Sequence, residues 1–447
     1  MEVVIVGGSD AGITAALRVR ELSEEHTIHV YLGDEFPNFS ICGLPFFLSG
    51  ETPDWRQLAH RTEFPGINIH RNHWVTGIRP HEHRIEVEHR GKTESKHYDR
   101  LLIATGAEPR RPPINGIDQD GVFVLHTMED SFLMARALTE RQVTDAIIIG
   151  AGYIGLEMVD ALVHRGIKVT VMERFRSPLP TVDSELGEFV GQMLQDKGVQ
   201  VQCGATVESI VASESGLRVT TTSGLEVTGQ LVLVAAGVEP NAKVAAAAGV
   251  ETGEYGAIRA DRQMRTNVPD IFAAGDCIET WHRVLERFIY LPLGTTAHKQ
   301  GRVAGENMLG GNAEYAGSLG TQVVKIFDLA VSRTGLREDE ARKAGFDPLT
   351  THSEVWDHKA YYPGANKLRI RMTGDRSTGR LLGAQIAGHW KSEVSKRVDI
   401  FASALFHRMK VEELLDLDLS YTPPLSAPWD PVQQAAQDWL HAFRTRC

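Results

Sequence analysis

At roughly 150 residues per domain, the chain of 447 residues has room for about three domains, which excludes a mini-protein or a disulfide-stapled scaffold. Hydrophobic residues make up 42% and charged residues 23%, a globular balance, and the net charge of -11 argues against a general nucleic-acid binder. Four cysteines, Cys42, Cys203, Cys277 and Cys447, are too scattered for an extracellular disulfide framework or a metal knuckle, so they read as cytosolic thiols with no metal site. Met1-Glu2 leads into a strand-like run without a basic or apolar leader, and no apolar stretch approaches about 18 residues; the expectation is a cytoplasmic protein with no membrane span.

In chain order, residues 3–6 read as a buried strand, 7–12 as a glycine turn, 13–22 as an apolar-periodic helix and 27–32 as a second strand, together a βαβ unit. Residues 102–107 are a strand running into a small-residue turn. Arg110-Arg111-Pro112-Pro113 reads as a crossover linker, because paired prolines resist both helix and central strand. The βαβ plan then returns, with a strand at 146–149, a glycine turn at 150–155, a helix at 156–164 and a strand at 168–172 that ends at Glu173. A second crossover falls near Val238-Glu239-Pro240-Asn241, and residues 267–276 end a strand in an aspartate. From about residue 320, strands at 321–327, 367–372 and 381–387 precede a helix around 396–406, the pattern of an α+β domain rather than a third nucleotide fold.

The second turn carries an intact G-x-G-x-x-G, Gly150-Ala151-Gly152-Tyr153-Ile154-Gly155. Its glycines permit a tight turn and close approach of a pyrophosphate, whose charge meets the helix N-terminus. Glu173 is positioned to accept hydrogen bonds from an adenosine ribose, which favours NADH, while Arg174 and Arg176 leave NADPH open. The first turn, Gly7-Gly8-Ser9-Asp10-Ala11-Gly12, has Ser9 in place of the middle glycine and Leu32 where an acid is expected, with Asp34 as the substitute. Ala104-Thr105-Gly106 and Gly275-Asp276 support a second nucleotide there, since an aspartate ending such a strand binds a ribityl hydroxyl. The economical reading is a flavoprotein with FAD in the first unit and NADH in the second.

Cys42 lies in Asn38-Phe39-Ser40-Ile41-Cys42-Gly43-Leu44-Pro45-Phe46. Pro45 suits an early helix position, which puts Cys42 just before a helix N-terminus, where the positive helix end favours a nucleophilic thiolate. Position 47 is Phe47, so no local dithiol forms. Cys42 must instead cycle between thiolate and a mixed disulfide with a small thiol, or between thiolate and sulfenic acid. Cys203 and Cys277 read as inert.

These residues resemble the single-cysteine branch of the pyridine nucleotide-disulfide oxidoreductases: coenzyme A-disulfide reductases, CoA-dependent NAD(P)H sulfur or polysulfide reductases, and NADH oxidases and peroxidases. The likeness runs over essentially the whole chain, through Gly237-Val238-Glu239-Pro240-Asn241, Thr296-Ala297-His298-Lys299-Gln300-Gly301-Arg302 and Tyr421-Thr422-Pro423-Pro424 with Trp429-Asp430-Pro431-Val432. It implies an α/β fold of two Rossmann-like domains and a C-terminal α+β dimerisation domain. FAD would occupy residues 1–112 and 241–318, with Gly237 and Ala297 near it, NAD(P)H residues 113–240, and dimerisation residues 319–447. It further implies that Tyr421 of one subunit reaches the cysteine site of the other and donates a proton or hydrogen bond to a leaving thiolate, with Tyr361 and Tyr362 in a companion segment. Thr14 and His298 match substrate positions, Asn38 stands where the relatives have a serine, and with Arg18 these four are the expected substrate-binding residues.

Departures from the family narrow the choice. Asp10 stands where the oxidases and peroxidases carry a histidine, which removes the usual acid-base partner of peroxide chemistry. Glu21, Ile41 and His70 replace an arginine, an asparagine and a lysine of the CoA-disulfide reductases, which weakens phosphate recognition unless Arg18, Arg20 and Arg71 compensate. The expected function is FAD-dependent NAD(P)H reduction of a low-molecular-weight disulfide, persulfide or polysulfide, coenzyme A disulfide among them. The alternatives are an NADH oxidase or peroxidase using a Cys42 sulfenic acid and a non-catalytic flavin redox sensor. Cys447 resembles the metal-delivering C-terminal cysteines of mercuric reductases but lacks their pair.

Overall fold

The computed structural model describes residues 1–445; Arg446 and Cys447, and the reading of Cys447 with them, lie outside the described residues. Two βαβ units appear where the glycine turns are. The first is β1 (Glu2–Val6), α1 (Asp10–Leu22) and β2 (Thr27–Tyr31); the second is β3 (Asp145–Ile149), α2 (Tyr153–His164) and β4 (Lys168–Glu173). Both helices begin earlier than their apolar periodicity, because the last glycine of each turn is already helical. A Cβ on Gly12 would stand 2.0 Å from the Gly7 carbonyl oxygen, and one on Gly155 would stand 2.0 Å from that of Gly150. The third glycine thus closes the turn onto the helix.

The chain forms two compact units. The first comprises Met1–Val143, Gln230–Trp281 and Arg287–Ser318, and the second Thr144–Gly229, His282–Glu286 and the chain from Leu319 onward. In the first, a parallel five-stranded sheet runs in the order Ile271–Ala273, Arg100–Ile103, β1, β2, Asn68–His70. Its central strands are apolar on both faces, with Val4, Ile5, Leu101 and Leu102 buried, as a covered parallel sheet requires. Helix α3 (Gly294–Met308) packs on α1. Val238–Pro240, in the second segment read as a crossover, runs antiparallel to Ala107–Pro109, which immediately precedes the first such segment at 110–113. An antiparallel meander, Trp74–Arg79, Arg84–His89 and Lys92–His97, was not evident in the sequence, because its short strands are largely polar.

In the second unit, β3, β4 and Gln200–Cys203 pair in parallel. A five-stranded antiparallel sheet, ordered Gln322–Ile326, Leu329–Gly335, Leu381–His389, Lys367–Asp375, Pro348–Trp356, carries the C-terminal part. Helices Val394–Phe406 and Pro431–Thr445 cover it, which gives the α+β domain expected there. Trp439 is fully buried, donates its indole N–H to the Leu349 carbonyl at 2.8 Å, and lies against Gly374, where a Cβ would come within 2.6 Å of the ring. No helix among the described residues is long and apolar enough to cross a membrane.

Candidate active site

The first glycine turn is held from both sides. Gly7, at φ 117°, donates its N–H to the Tyr31 carbonyl at 2.8 Å, and a Cβ there would lie 2.0 Å from the Ala104 carbonyl oxygen. Only glycine fits that left-handed close approach. Ser9, in contrast, caps α1 with an extended backbone at φ -101° and is exposed, so serine replaces the middle glycine without backbone strain. Thr105 donates its hydroxyl to the Asn241 carbonyl at 2.5 Å, Asn241 donates its N–H to the Gly106 carbonyl, and Arg110 donates its N–H to the Gly237 carbonyl. The segments 104–106 and 237–241 are therefore stitched together beside the turn. Gln300, which sequence reasoning did not single out, is buried and accepts the Gly275 N–H at 2.9 Å while donating to Thr280. Ala297, from the same helix, is buried beside Gly275.

Burial, reinforced by the nearby Asp10 carboxylate, pushes Asp276 up to about 6. A carboxylate so desolvated is stabilised by hydroxyl donors such as those of a ribityl chain, and together with the first glycine turn this fits FAD. The adenosine end differs from the second unit. Leu32 is buried against Gly8, and Asp34 accepts the Phe36 N–H at 2.8 Å, its carboxyl raised by burial. Asp34 thus bonds within its own loop.

The second turn has the same backbone, with Gly150 at φ 106° donating to the Met172 carbonyl at 2.8 Å. Space around Gly152 is open, as close approach of a pyrophosphate needs. Glu173 is buried and accepts the Ala151 N–H at 2.8 Å and the Phe175 N–H at 3.0 Å, so its carboxylate is fixed at the end of β4 beside the turn. Arg174 stacks its guanidinium over Phe175 and, like Arg176, is exposed. Tyr153 and Ile154 open α2, and Glu157, one turn on, is driven up to about 7 by burial and then by Asp160. Glu157 was missed; an acid on an otherwise apolar helix face was the available signal.

Cys42 is exposed, on the 3-10 turn Ile41–Gly43 that runs into the short helix Leu44–Ser49, with Pro45 at its start. The segment leading to it is tied down on two sides. Asn38, buried and left-handed at φ 59°, donates its N–H to the Gly8 carbonyl at 2.8 Å and accepts the His60 N–H at 2.9 Å. Asparagine tolerates that conformation better than most residues. Ser40 donates to the Leu58 carbonyl, and Phe36, Phe47 and Trp55 meet Phe132 of helix Met128–Glu140 edge to face. Hydrogen bonds and aromatic packing thus anchor the chain around an exposed sulfur. The other thiols differ: Cys277 is buried, donates towards the Ile103 and Ala274 carbonyls, and is pushed by burial to about 11, while burial and Glu173 raise Cys203.

The structure brings Thr14 and His298 together, with Thr14 Oγ1 2.8 Å from His298 Nδ1, and sets Asp10 Oδ1 3.5 Å from His298 Nε2. It does not leave the expected compensating cations free for an anionic substrate. Arg18 bonds Glu306 and Glu21, which raise it further, and Arg20 donates to the carbonyls of Ser23, Glu24, His26 and Gly66. His70 stacks on Tyr31 and lies 2.8 Å from His29; burial, then His29, His73 and Lys96, holds it down to about 4, so it is neutral at pH 7.

Tyr361 and Tyr421, in the second unit, are exposed by 74% and 45%. Their segments lie side by side, for Lys359 donates its N–H to the Pro423 carbonyl. The buried Arg397 clamps both, donating to the carbonyls of Asp357, Ser392 and Leu425 and to the Asp430 carboxylate at 3.3 Å. No sequence pattern pointed to Arg397. No group of three or more His, Cys, Asp or Glu among the described residues is arranged to hold a metal.

Two glycine turns, a desolvated acid at Asp276 and an exposed cysteine define a two-nucleotide redox flavoprotein. The chain belongs to the pyridine nucleotide-disulphide oxidoreductases, whose family pattern it matches over residues 1–301, with the family's dimerisation domain over residues 321–431. It is 34% identical over 436 residues to the CoA-dependent NAD(P)H sulfur oxidoreductase of Pyrococcus furiosus, covering 96% of this chain and 97% of that one. It is 32% identical over 447 residues to a NADH oxidase of Methanocaldococcus jannaschii, with 98% and 99% covered. Its fold matches an NAD-dependent persulfide reductase from A. fulgidus with a TM-score of 0.95 at 35% identity, spanning all of this chain and 83% of that one. The chain is accordingly an FAD-dependent oxidoreductase that draws on NAD(P)H.

Proposed function

We propose that the protein uses NADH to reduce a low-molecular-weight disulfide, persulfide or polysulfide through Cys42. The observation that carries this reading is the contrast among the thiols: Cys42 is exposed on an anchored segment, whereas Cys277 is buried and Cys203 half-buried. FAD, when bound, supplies the electron pair that it takes from the pyridine nucleotide. Residues 1–112 and 241–318 would hold FAD, through Gly7, Gly8, Ser9, Gly12, Ala104 to Gly106, Gly275, Asp276 and Ala297, with Gly237 beside them. NADH occupies residues 113–240 at Gly150 to Gly155 and Glu173. The chain works as a homodimer through residues 319–447, and Tyr421, supported by Tyr361, hydrogen-bonds the thiolate released from the Cys42 mixed disulfide.

Among sulfur substrates, a persulfide or polysulfide is favoured over coenzyme A disulfide. Arg18 and Arg20 are engaged internally and His70 is neutral, which leaves Arg71 as the exposed cation among the compensating residues. NADH consumption measured anaerobically with polysulfide, with a persulfide and with coenzyme A disulfide, and separately with peroxide and under air, tests the reading. It predicts sulfur-dependent turnover that is lost in Cys42→Ser with the flavin absorbance retained. Turnover driven by peroxide or oxygen alone would instead support the oxidase reading that the M. jannaschii relative's name brings to mind.

A further inference from the structure

The first nucleotide unit lacks the acid with which such a strand end receives a ribose. Leu32 stands there and packs on Gly8, and Asp34 turns back to accept the Phe36 N–H. A Rossmann unit nonetheless holds its adenosine at this end of β2. We infer that Trp74 takes over the task, its indole being the face on which the adenine of FAD stacks, an assignment that rests on the placing of FAD in the first unit and not on the sulfur substrate.

Trp74 opens the strand Trp74–Arg79, and backbone bonds carry it to the end of β2. Asn72 donates its N–H to the Asp34 carbonyl and His73 its N–H to the Leu32 carbonyl, each at 2.9 Å, so the segment at 72–74 is laced to the one at 32–34. A Cβ on Gly33 would lie 2.4, 2.5 and 2.7 Å from Cε2, Cζ2 and Cδ2 of Trp74. Adjoining ring atoms at nearly one distance put the face of the indole over the Gly33 α-carbon, and a side chain at 33 would displace it. Glycine thus makes room for an aromatic ring beside the ribose position.

The rest of the ring is not built into the protein. Trp74 is 62% exposed, and no ring or cation among the described residues stacks on it. Neighbouring rings are paired off, Tyr31 on His70 and His73 on His89. An exposed apolar side chain needs no occupant in itself; what singles Trp74 out is its place, over the residue that follows Leu32. Stacking asks only for a π-face, which every adenine has, and so offsets a leucine that offers ribose hydroxyls no acceptor.

Aromatic rescue separates stacking from packing. FAD release from the full-length holoenzyme is followed by flavin fluorescence in wild type, Trp74→Phe, Trp74→Leu and Trp74→Ala, with Tm recorded for each. Release should quicken at least about tenfold in Trp74→Leu and Trp74→Ala, and less than about threefold in Trp74→Phe. Gly33→Ala, which pushes the indole aside, should quicken release in the wild-type background and add nothing in Trp74→Ala. Leucine holding FAD as well as phenylalanine does, or alanine as well as tryptophan, would overturn the assignment to Trp74 and leave the placing of FAD standing. Wild type that carries no FAD would overturn that placing, and the assignment with it.

Discussion

The role proposed for Asp276 at the flavin can be tested on a single carboxyl group. Burial raises it from its ordinary 3.8 to about 6, so the native state takes up the proton before the unfolded chain does. The ionised form costs stability above about pH 6, and the cost fades as pH falls from there toward the ordinary value. Two pK units correspond to at most about 3 kcal/mol. With the flavin removed, Asp276→Asn should therefore raise Tm at pH 8, with the gain vanishing near pH 4. With flavin present the sign should reverse, because a ribityl hydroxyl bonds a carboxylate better than an amide, and FAD affinity should drop in a fluorescence titration. A variant that binds FAD as tightly as wild type would remove Asp276 from the flavin site.

At the scale of the element, the two glycine turns allow the nucleotide sites to be perturbed separately. Ala at Gly155 pushes a methyl into the Gly150 carbonyl, and overpacking against backbone costs about 2 kcal/mol or more. Gly155→Ala should raise KM for NADH with the flavin spectrum intact, whereas Gly12→Ala should lose flavin. The tyrosine segments offer a second case. Arg397 is buried with the Asp430 carboxylate and three carbonyls, and removing one partner of a buried pair costs about 3 kcal/mol or more. Arg397→Met should lower Tm and speed tryptic cleavage after Lys359, the residue that joins the segments. The Arg397 clamp could not be read in advance. G-x-G-x-x-G spacing identified the turns because the constraint is local, but Arg397 gathers groups from residues 357, 392, 425 and 430, a set that exists only once the chain has folded. For the same reason Arg18 and Arg20 looked free in sequence: besides local partners, each is held by a group far along the chain, Glu306 for Arg18 and the Gly66 carbonyl for Arg20.

Across the whole molecule, periodicity located both βαβ units and the C-terminal strands at Lys367–Asp375 and Leu381–His389, while Leu329–Gly335 and Pro348–Trp356 went unread. The latter mixes threonines, histidine and serine into a strand, and its apolar alternation is too weak to stand out. The cysteine was legible because its neighbours, Pro45 and Phe47, limit its chemistry without reference to the rest of the fold. Two nucleotide sites, a dimerisation domain and the exposed Cys42 thiol then form a single account in which electrons leave the protein through Cys42. The most direct test is the mass of the Cys42 peptide after the protein, NADH-reduced and freed of excess reductant, meets an asymmetric disulfide under anaerobic conditions. The account predicts a single mixed-disulfide adduct on Cys42 that disappears when NADH is added. An unmodified Cys42 in a protein that still turns over, or an adduct that NADH does not remove, would contradict it.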